Sequence, residues 1–110
     1  MIEFENVTKK YGDTKVLDKV TFNVKAGEFV TLIGPSGAGK STLVYSLIGA
    51  EPIVSGNIKI DGYTVNNMRG RALQYFRRRI GVVFQDYKLL NQKNVFENVA
   101  FALEVCGFER

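Results

Sequence analysis

Residues 34–41 read Gly34-Pro35-Ser36-Gly37-Ala38-Gly39-Lys40-Ser41 and satisfy the pattern G-x-x-x-x-G-K-[ST] at every fixed position. The residue types point to phosphate chemistry. A polyphosphate carries dense negative charge, and a row of backbone N–H groups at a helix N-terminus is a preorganised receptor for it. Glycines let that backbone take unusual dihedrals and approach the phosphates with no Cβ in the way. Lys40 then supplies a point charge for the β and γ phosphates, and the Ser41 hydroxyl can ligate Mg²⁺. The motif therefore predicts a nucleoside triphosphate site built from residues 34–41. A glycine-rich turn matching by chance would lack a flanking strand and helix, and both are predicted here.

The elements that must hold this loop follow from periodicity. Residues 29–33, Phe29-Val30-Thr31-Leu32-Ile33, are almost wholly apolar and rich in β-branching, which predicts a strand buried on both faces of a parallel sheet. Beyond the loop, Leu43, Val44, Leu47 and Ile48 share a face of a helix expected over 40–48. Upstream, residues 2–7 alternate as a strand until Asn6 and Val7 break phase, and residues 9–13 read as a turn. A second strand is predicted over 16–24, with Val20, Phe22 and Val24 on one face. Downstream, Gly49, Pro52 and Ser55-Gly56-Asn57 end the helix. Residues 58–60, the Asp61-Gly62 signal and residues 63–65 predict a hairpin. A short helix near 70–79 places Leu73, Phe76 and Ile80 together, and 81–84 reads as a short buried strand. Asn94, with Glu97 three residues on, opens a last helix through a capping box. No repeat or linker interrupts the chain, so one unit is expected.

Composition bounds the chemistry further. The chain has 110 residues, 45% hydrophobic and 24% charged, which fits one soluble globular unit and excludes a disordered tail or a disulfide scaffold. Fifteen Lys+Arg against 11 Asp+Glu leave +4, too small an excess to argue for nucleic acid. With no histidine and the single Cys106, metal sites built from Cys and His are excluded, as is the commonest general base. Cys106 itself reads as a small core residue. Arg69, Arg71, Arg77, Arg78 and Arg79 read as a solvated helix face, so no nucleic-acid partner is expected. No signal peptide or membrane-spanning stretch is visible, which predicts a cytoplasmic protein.

Three further positions complete a pattern around the loop. Tyr11 precedes it by about one hairpin, Gln85 ends the run Val82-Val83-Phe84-Gln85-Asp86, and Asn94-Val95-Phe96-Glu97-Asn98-Val99 starts the last helix. The set resembles the N-terminal half of an ATP-binding cassette (ABC) ATPase, from Ile2 to the last residue. The stretches from Arg77 to Leu90 and from Glu97 to Val105 are most similar to the bacterial cell-division branch of that family. Asn91 departs from it, since relatives often carry proline after the paired leucines.

The resemblance implies an α/β fold, a partial P-loop NTPase core with an antiparallel β subdomain of the ABC ATPase type. It implies that residues 1–110 are the N-terminal part of a single ATP-binding domain, with ATP and Mg²⁺ as cofactors. Tyr11 would stack on the adenine ring, and Thr42 would add a hydroxyl and an N–H toward the α phosphate. Gln85 would be the Q-loop glutamine that reaches Mg²⁺ and the attacking water, a catalytic group beside Lys40 and a metal ligand beside Ser41. A turn tyrosine packed on the sheet and a glutamine capping backbone are the plainer readings of Tyr11 and Gln85.

The same resemblance implies partners. The intact ATPase would act as a head-to-tail homodimer. A transmembrane subunit similar to FtsX would dock on residues 86–94 and bring the protein to the inner face of the cell membrane. The last helix is apolar around most of its circumference, so it must be buried or meet a partner. The family's hydrolytic glutamate, its Leu-Ser-Gly-Gly-Gln signature and its switch histidine do not occur in these residues. The expectation is a chain that binds ATP without hydrolysing it, from a family whose intact members hydrolyse ATP. Two other readings stay open: the ATPase of an importer or lipoprotein-release transporter, and a non-catalytic module whose partner affinity is switched by nucleotide binding alone.

Overall fold

The protein is described by a computed structural model covering residues 1–109, which fall into two compact units that divide between Leu73 and Gln74. The first unit is built on an antiparallel sheet of order β2-β1-β3-β4. Its strands are β1 (Ile2–Tyr11), β2 (Thr14–Val24), β3 (Ser55–Ile60) and β4 (Tyr63–Thr64). The β3–β4 turn is Asp61-Gly62, both at positive φ (48° and 83°), the type I′ geometry that the Asp-Gly pair predicts.

The turn expected over 9–13 is shorter than the sequence indicated. Lys9, Lys10 and Tyr11 continue β1 and pair with Leu17, Lys15 and Thr14, leaving Gly12-Asp13 as the turn. Charge misled here because Lys9 is an interior residue. Its stem is buried and its ammonium donates to the Pro52 carbonyl at 2.7 Å and lies 3.4 Å from Glu51.

The phase break at Asn6 is a β-bulge. Asn6 and Lys19 both take φ of 49°, and the register shifts between Phe4 and Val7. A bulge diverts backbone donors from the ladder, and side chains close by can accept from them instead. Thr21 Oγ1 accepts from the Asn6 N–H at 2.9 Å, and Thr8 Oγ1 accepts from the Lys19 N–H at 3.2 Å. The shift keeps Leu17 and Val20 on the face that carries Phe22. Phe4, Val7, Leu17, Ile48, Ile58 and Val65 are the buried apolar residues of this unit, and the Phe4 and Phe22 rings stack at 4.6 Å.

Helix α1 (Lys40–Leu47) buries Ser46 and its C-cap Ile48. Ser46 is 2% exposed, and its hydroxyl has no hydrogen-bond partner among the described residues. A buried hydroxyl without a partner adds nothing to stability, and alanine is the better helix former. Ser46→Ala is expected to leave the urea unfolding free energy unchanged or raise it by up to about 1 kcal/mol. A loss above that size would show that the hydroxyl has a partner in solution.

Two predicted strands are not formed. Residues 29–33 and 81–84 have no ladder partner among the described residues, and Phe29, Ile33 and Val83 are 93%, 93% and 95% exposed. A strand buried on both faces exists only where neighbouring strands and covering helices supply its environment, and its own residues cannot provide them.

The second unit holds the end of α2 (Gly70–Arg77) and α3 (Val95–Val105). The helix predicted to Arg79 stops at Arg77 and closes with tighter bonds, Arg79 N–H to the Phe76 carbonyl at 3.0 Å and Ile80 N–H to Arg77 at 3.1 Å. Arg77, Arg78 and Arg79 are exposed, as are Arg69 and Arg71 of the first unit. The capping box of α3 is formed in both directions: Asn94 Oδ1 accepts from the Glu97 N–H at 2.9 Å, and Glu97 accepts from the Asn94 N–H at 3.0 Å. Its other end closes by Gly107 N–H to Glu104 and Phe108 N–H to Leu103. No residue of α3 is buried among the described residues. Cys106 is half-buried, not a core residue, with Sγ 4.0 Å from the Arg78 carbonyl. No helix among the described residues is long and apolar enough to cross a membrane.

Candidate phosphate-binding site

The loop of residues 34–39 leads directly into α1, and its conformation follows from its glycines. Gly37 and Gly39 take φ of 81° and 98°. Gly39 is buried, and a Cβ placed there would lie 2.9 Å from the Val16 carbonyl oxygen and 3.2 and 3.3 Å from the Val16 and Leu17 side chains. Both its dihedral and its packing against β2 therefore require glycine. Pro35, Ser36, Gly37 and Ala38 are exposed, and the Ala38 N–H closes a turn onto the Pro35 carbonyl at 3.1 Å.

The first α-helical bond at this end runs from the Leu43 N–H to the Gly39 carbonyl at 2.9 Å. The amides of Lys40, Ser41 and Thr42 therefore have no intrahelical acceptor. No side chain caps them, and no acidic residue stands in the first turn. This is an electropositive helix end with no built-in anion. The residues present fit a phosphate ligand on that ground. Lys40 folds back over the loop, its Nζ donating to the carbonyls of Gly34 and Pro35, the latter at 2.9 Å. An ammonium carries three donors, so one remains for an anion at the same place. Ser41, second in α1, is exposed, and Thr42 is half-buried.

Tyr11 sits on the same unit. It is 46% exposed and pairs with Thr14, two residues before the Val16 carbonyl that packs on Gly39, a separation of roughly 7 Å along β2. The β1–β2 hairpin thus carries Tyr11 to the end of the sheet against which the loop rests. Sequence reasoning passed over Lys9. Its ammonium lies 4.8 Å from the centre of the Tyr11 ring, and the signal was the two-residue spacing that puts both side chains on one face of a strand.

Gln85 belongs to the second unit. It is exposed and opens a turn over residues 85–88 in which Tyr87 and Lys88 take φ of 61° and 52°. Lys88 Nζ lies 2.7 Å from the Asp86 carboxylate, and that hydrogen bond holds the Asp86 carboxyl below the usual carboxylate range. Leu89 and Leu90 follow, both exposed.

A second overlooked residue is Asn98, four positions beyond the helix cap. The two N–H groups of its Nδ2 are shared among the carbonyls of Leu90, Lys93 and Asn94 at 3.2, 3.1 and 2.9 Å, and its Oδ1 accepts from the Leu90 N–H at 2.9 Å. One side chain thereby fixes the path of residues 90–94. Asn98→Ala is expected to cost about 1–2 kcal/mol of local stability and to speed hydrogen exchange at the Leu90 amide roughly tenfold. Unchanged exchange at Leu90 would show that the clamp is not formed in solution.

The family model described as ABC transporter matches residues 17–109. The chain is 49% identical over 109 residues to the cell division ATP-binding protein FtsE of Mycobacterium tuberculosis, covering 97% of this chain and 47% of that protein. It is 41% identical over 107 residues to the methionine import ATP-binding protein MetN of Clostridium acetobutylicum, covering 97% and 33%. Among solved structures it is similar to the ABC transporter cassette MJ0796. The match is at TM-score 0.92 and 36% identity for the dimer, and at 0.90 and 35% for a post-hydrolysis state bound to ADP and Pi. Each covers 100% of this chain and 50% of that chain. The chain thus spans about half the length, or less, of these relatives. Its fold is that of an ABC cassette, and the chain belongs to the ABC transporter family.

Proposed function

We propose that this chain binds ATP with Mg²⁺ through residues 34–42 and Tyr11, as the N-terminal part of one ABC ATP-binding domain. The observation that carries the reading is the uncapped start of α1, with Lys40 folded over a loop whose Gly39 has no room for a side chain. The amides of Lys40, Ser41 and Thr42 hold phosphate oxygens, the Lys40 ammonium sits against the β and γ phosphates, and the Tyr11 ring receives the base. The Ser41 hydroxyl is the group beside the loop that would hold Mg²⁺, which when bound neutralises charge on the β and γ phosphates.

Removing Mg²⁺ with a chelator is expected to weaken ATP binding about tenfold, roughly 1.4 kcal/mol, and Ser41→Ala to abolish most of that dependence. Equal affinity with and without Mg²⁺ in both proteins would contradict the metal assignment.

In this reading the complete domain hydrolyses ATP as a head-to-tail dimer, with Lys40 and Gln85 among its catalytic groups. Further strands of that domain cover Phe29, Ile33 and Val83. The 47–50% coverage of FtsE and MJ0796 and the exposure of those three residues support it. The similarity to FtsE supports a role in bacterial cell division. In this reading an FtsX-like transmembrane subunit docks on residues 86–94 and tethers the protein to the membrane. Leu89 and Leu90 present apolar surface there, beside backbone fixed by Asn98. In the complete protein, Leu89→Ser with Leu90→Ser is expected to abolish capture by that subunit while leaving ATP binding within about twofold. Undiminished capture would overturn the docking assignment. The similarity to MetN supports a second reading, an importer ATPase, and the identity of the captured subunit separates the two.

A further inference from the structure

We infer that Lys9 is a positioning residue for nucleotide binding, holding the Tyr11 ring in place and leaving one face of it for the base. The inference rests on the proposal that Tyr11 receives the base. Lys9 is only 6% exposed, unusual for a residue whose charged head ordinarily reaches water. Its ammonium is held by the Pro52 carbonyl at 2.7 Å and by the Glu51 carboxylate at 3.4 Å. That anchored charge lies 4.8 Å from the centre of the Tyr11 ring. Attraction between a cation and an aromatic face orders the ring, and burial of the ammonium strengthens it.

Two consequences follow for a ligand. The face of Tyr11 toward Lys9 is occupied, so a base stacks only on the other face or meets the ring edge. A ring held in one orientation also loses less freedom when a base stacks on it. The cation further draws electron density from the ring, which favours offset stacking with an electron-rich purine. Glu51 compensates the Lys9 charge, and being part-exposed it can be solvated when Lys9 is replaced.

The test separates the base from the phosphates. Lys9→Met keeps the length and apolar stem and removes the charge. Titration of the chain, Lys9→Met, Tyr11→Leu and the double variant with ATP and with inorganic tripolyphosphate, all with Mg²⁺, reads the two parts independently. Lys9→Met is expected to weaken ATP about threefold to tenfold and to leave tripolyphosphate within about twofold. In the Tyr11→Leu background the effect of Lys9→Met on ATP should vanish, because the ring through which it acts is gone. Equal ATP affinity in Lys9→Met and the unmodified chain would overturn the inference. So would a parallel loss of both ligands, which would make Lys9 a residue of the fold alone. Failure of the unmodified chain to bind either ligand, or indifference of ATP binding to Tyr11→Leu, would instead overturn the nucleotide reading beneath it.

Discussion

Lys40→Ala is expected to weaken ATP binding by at least about a hundredfold, roughly 2.7 kcal/mol. Two effects act in the same direction. The substitution removes the positive charge aimed at the phosphates, and a hydrogen bond to a charged group contributes about 1.5–3 kcal/mol. It also uncovers the carbonyls of Gly34 and Pro35, which the ammonium bridges. Those oxygens then point partial negative charge at an anion with no cation between. The fold should survive, because Lys40 is only half-buried and its partners lie near the surface. Titration with a fluorescent ATP analogue and Mg²⁺ measures the effect, with circular dichroism as a check on folding. A change within about threefold would mean the loop does not hold the phosphates.

The largest expected effect on folding is at Gly56, in β3. A Cβ there would lie 2.3 Å from the Asn6 carbonyl oxygen and 2.6 Å from both the Asn6 carbonyl carbon and the Glu5 oxygen, and its φ is 92°. The obstructing atoms are backbone of β1 at the bulge, where the β1–β3 register shifts between Glu5 and Thr8. They cannot move without breaking pairs on both sides of the central strand. Gly56→Ala is therefore expected to cost more than about 3 kcal/mol, well above an ordinary surface substitution. The urea midpoint measures it. A loss below about 1 kcal/mol would show that the bulge relaxes freely.

What the sequence disclosed and what it concealed divide along physical lines. The glycine-rich loop leading into α1, the Asp61-Gly62 turn and the Asn94–Glu97 box are local. Each is fixed by the residues that form it, and each appears where it was expected. The phase break at Asn6 was visible, but its partner bulge at Lys19 and the two threonines that serve both are a cross-strand arrangement that no single segment encodes. Lys9 was misread as turn because its charge is compensated by Glu51, 42 positions away in the chain. Residues 29–33 and 81–84 show the sharpest limit. Their apolar character states what environment they require, while pairing depends on strands that the described residues do not provide. Tyr11 and the loop share one unit and meet through β2, whereas Gln85 stands on the other.

The most direct measurement of the central claim is a residue-resolved heteronuclear NMR titration of the ¹⁵N-labelled chain with a non-hydrolysable ATP analogue and Mg²⁺. The largest saturable shifts are expected on the amides of residues 37–42 and on Tyr11, and Lys40→Ala is expected to remove them. Shifts centred on the arginines of residues 69–79, or none at Gly39, Lys40 and Ser41, would contradict it.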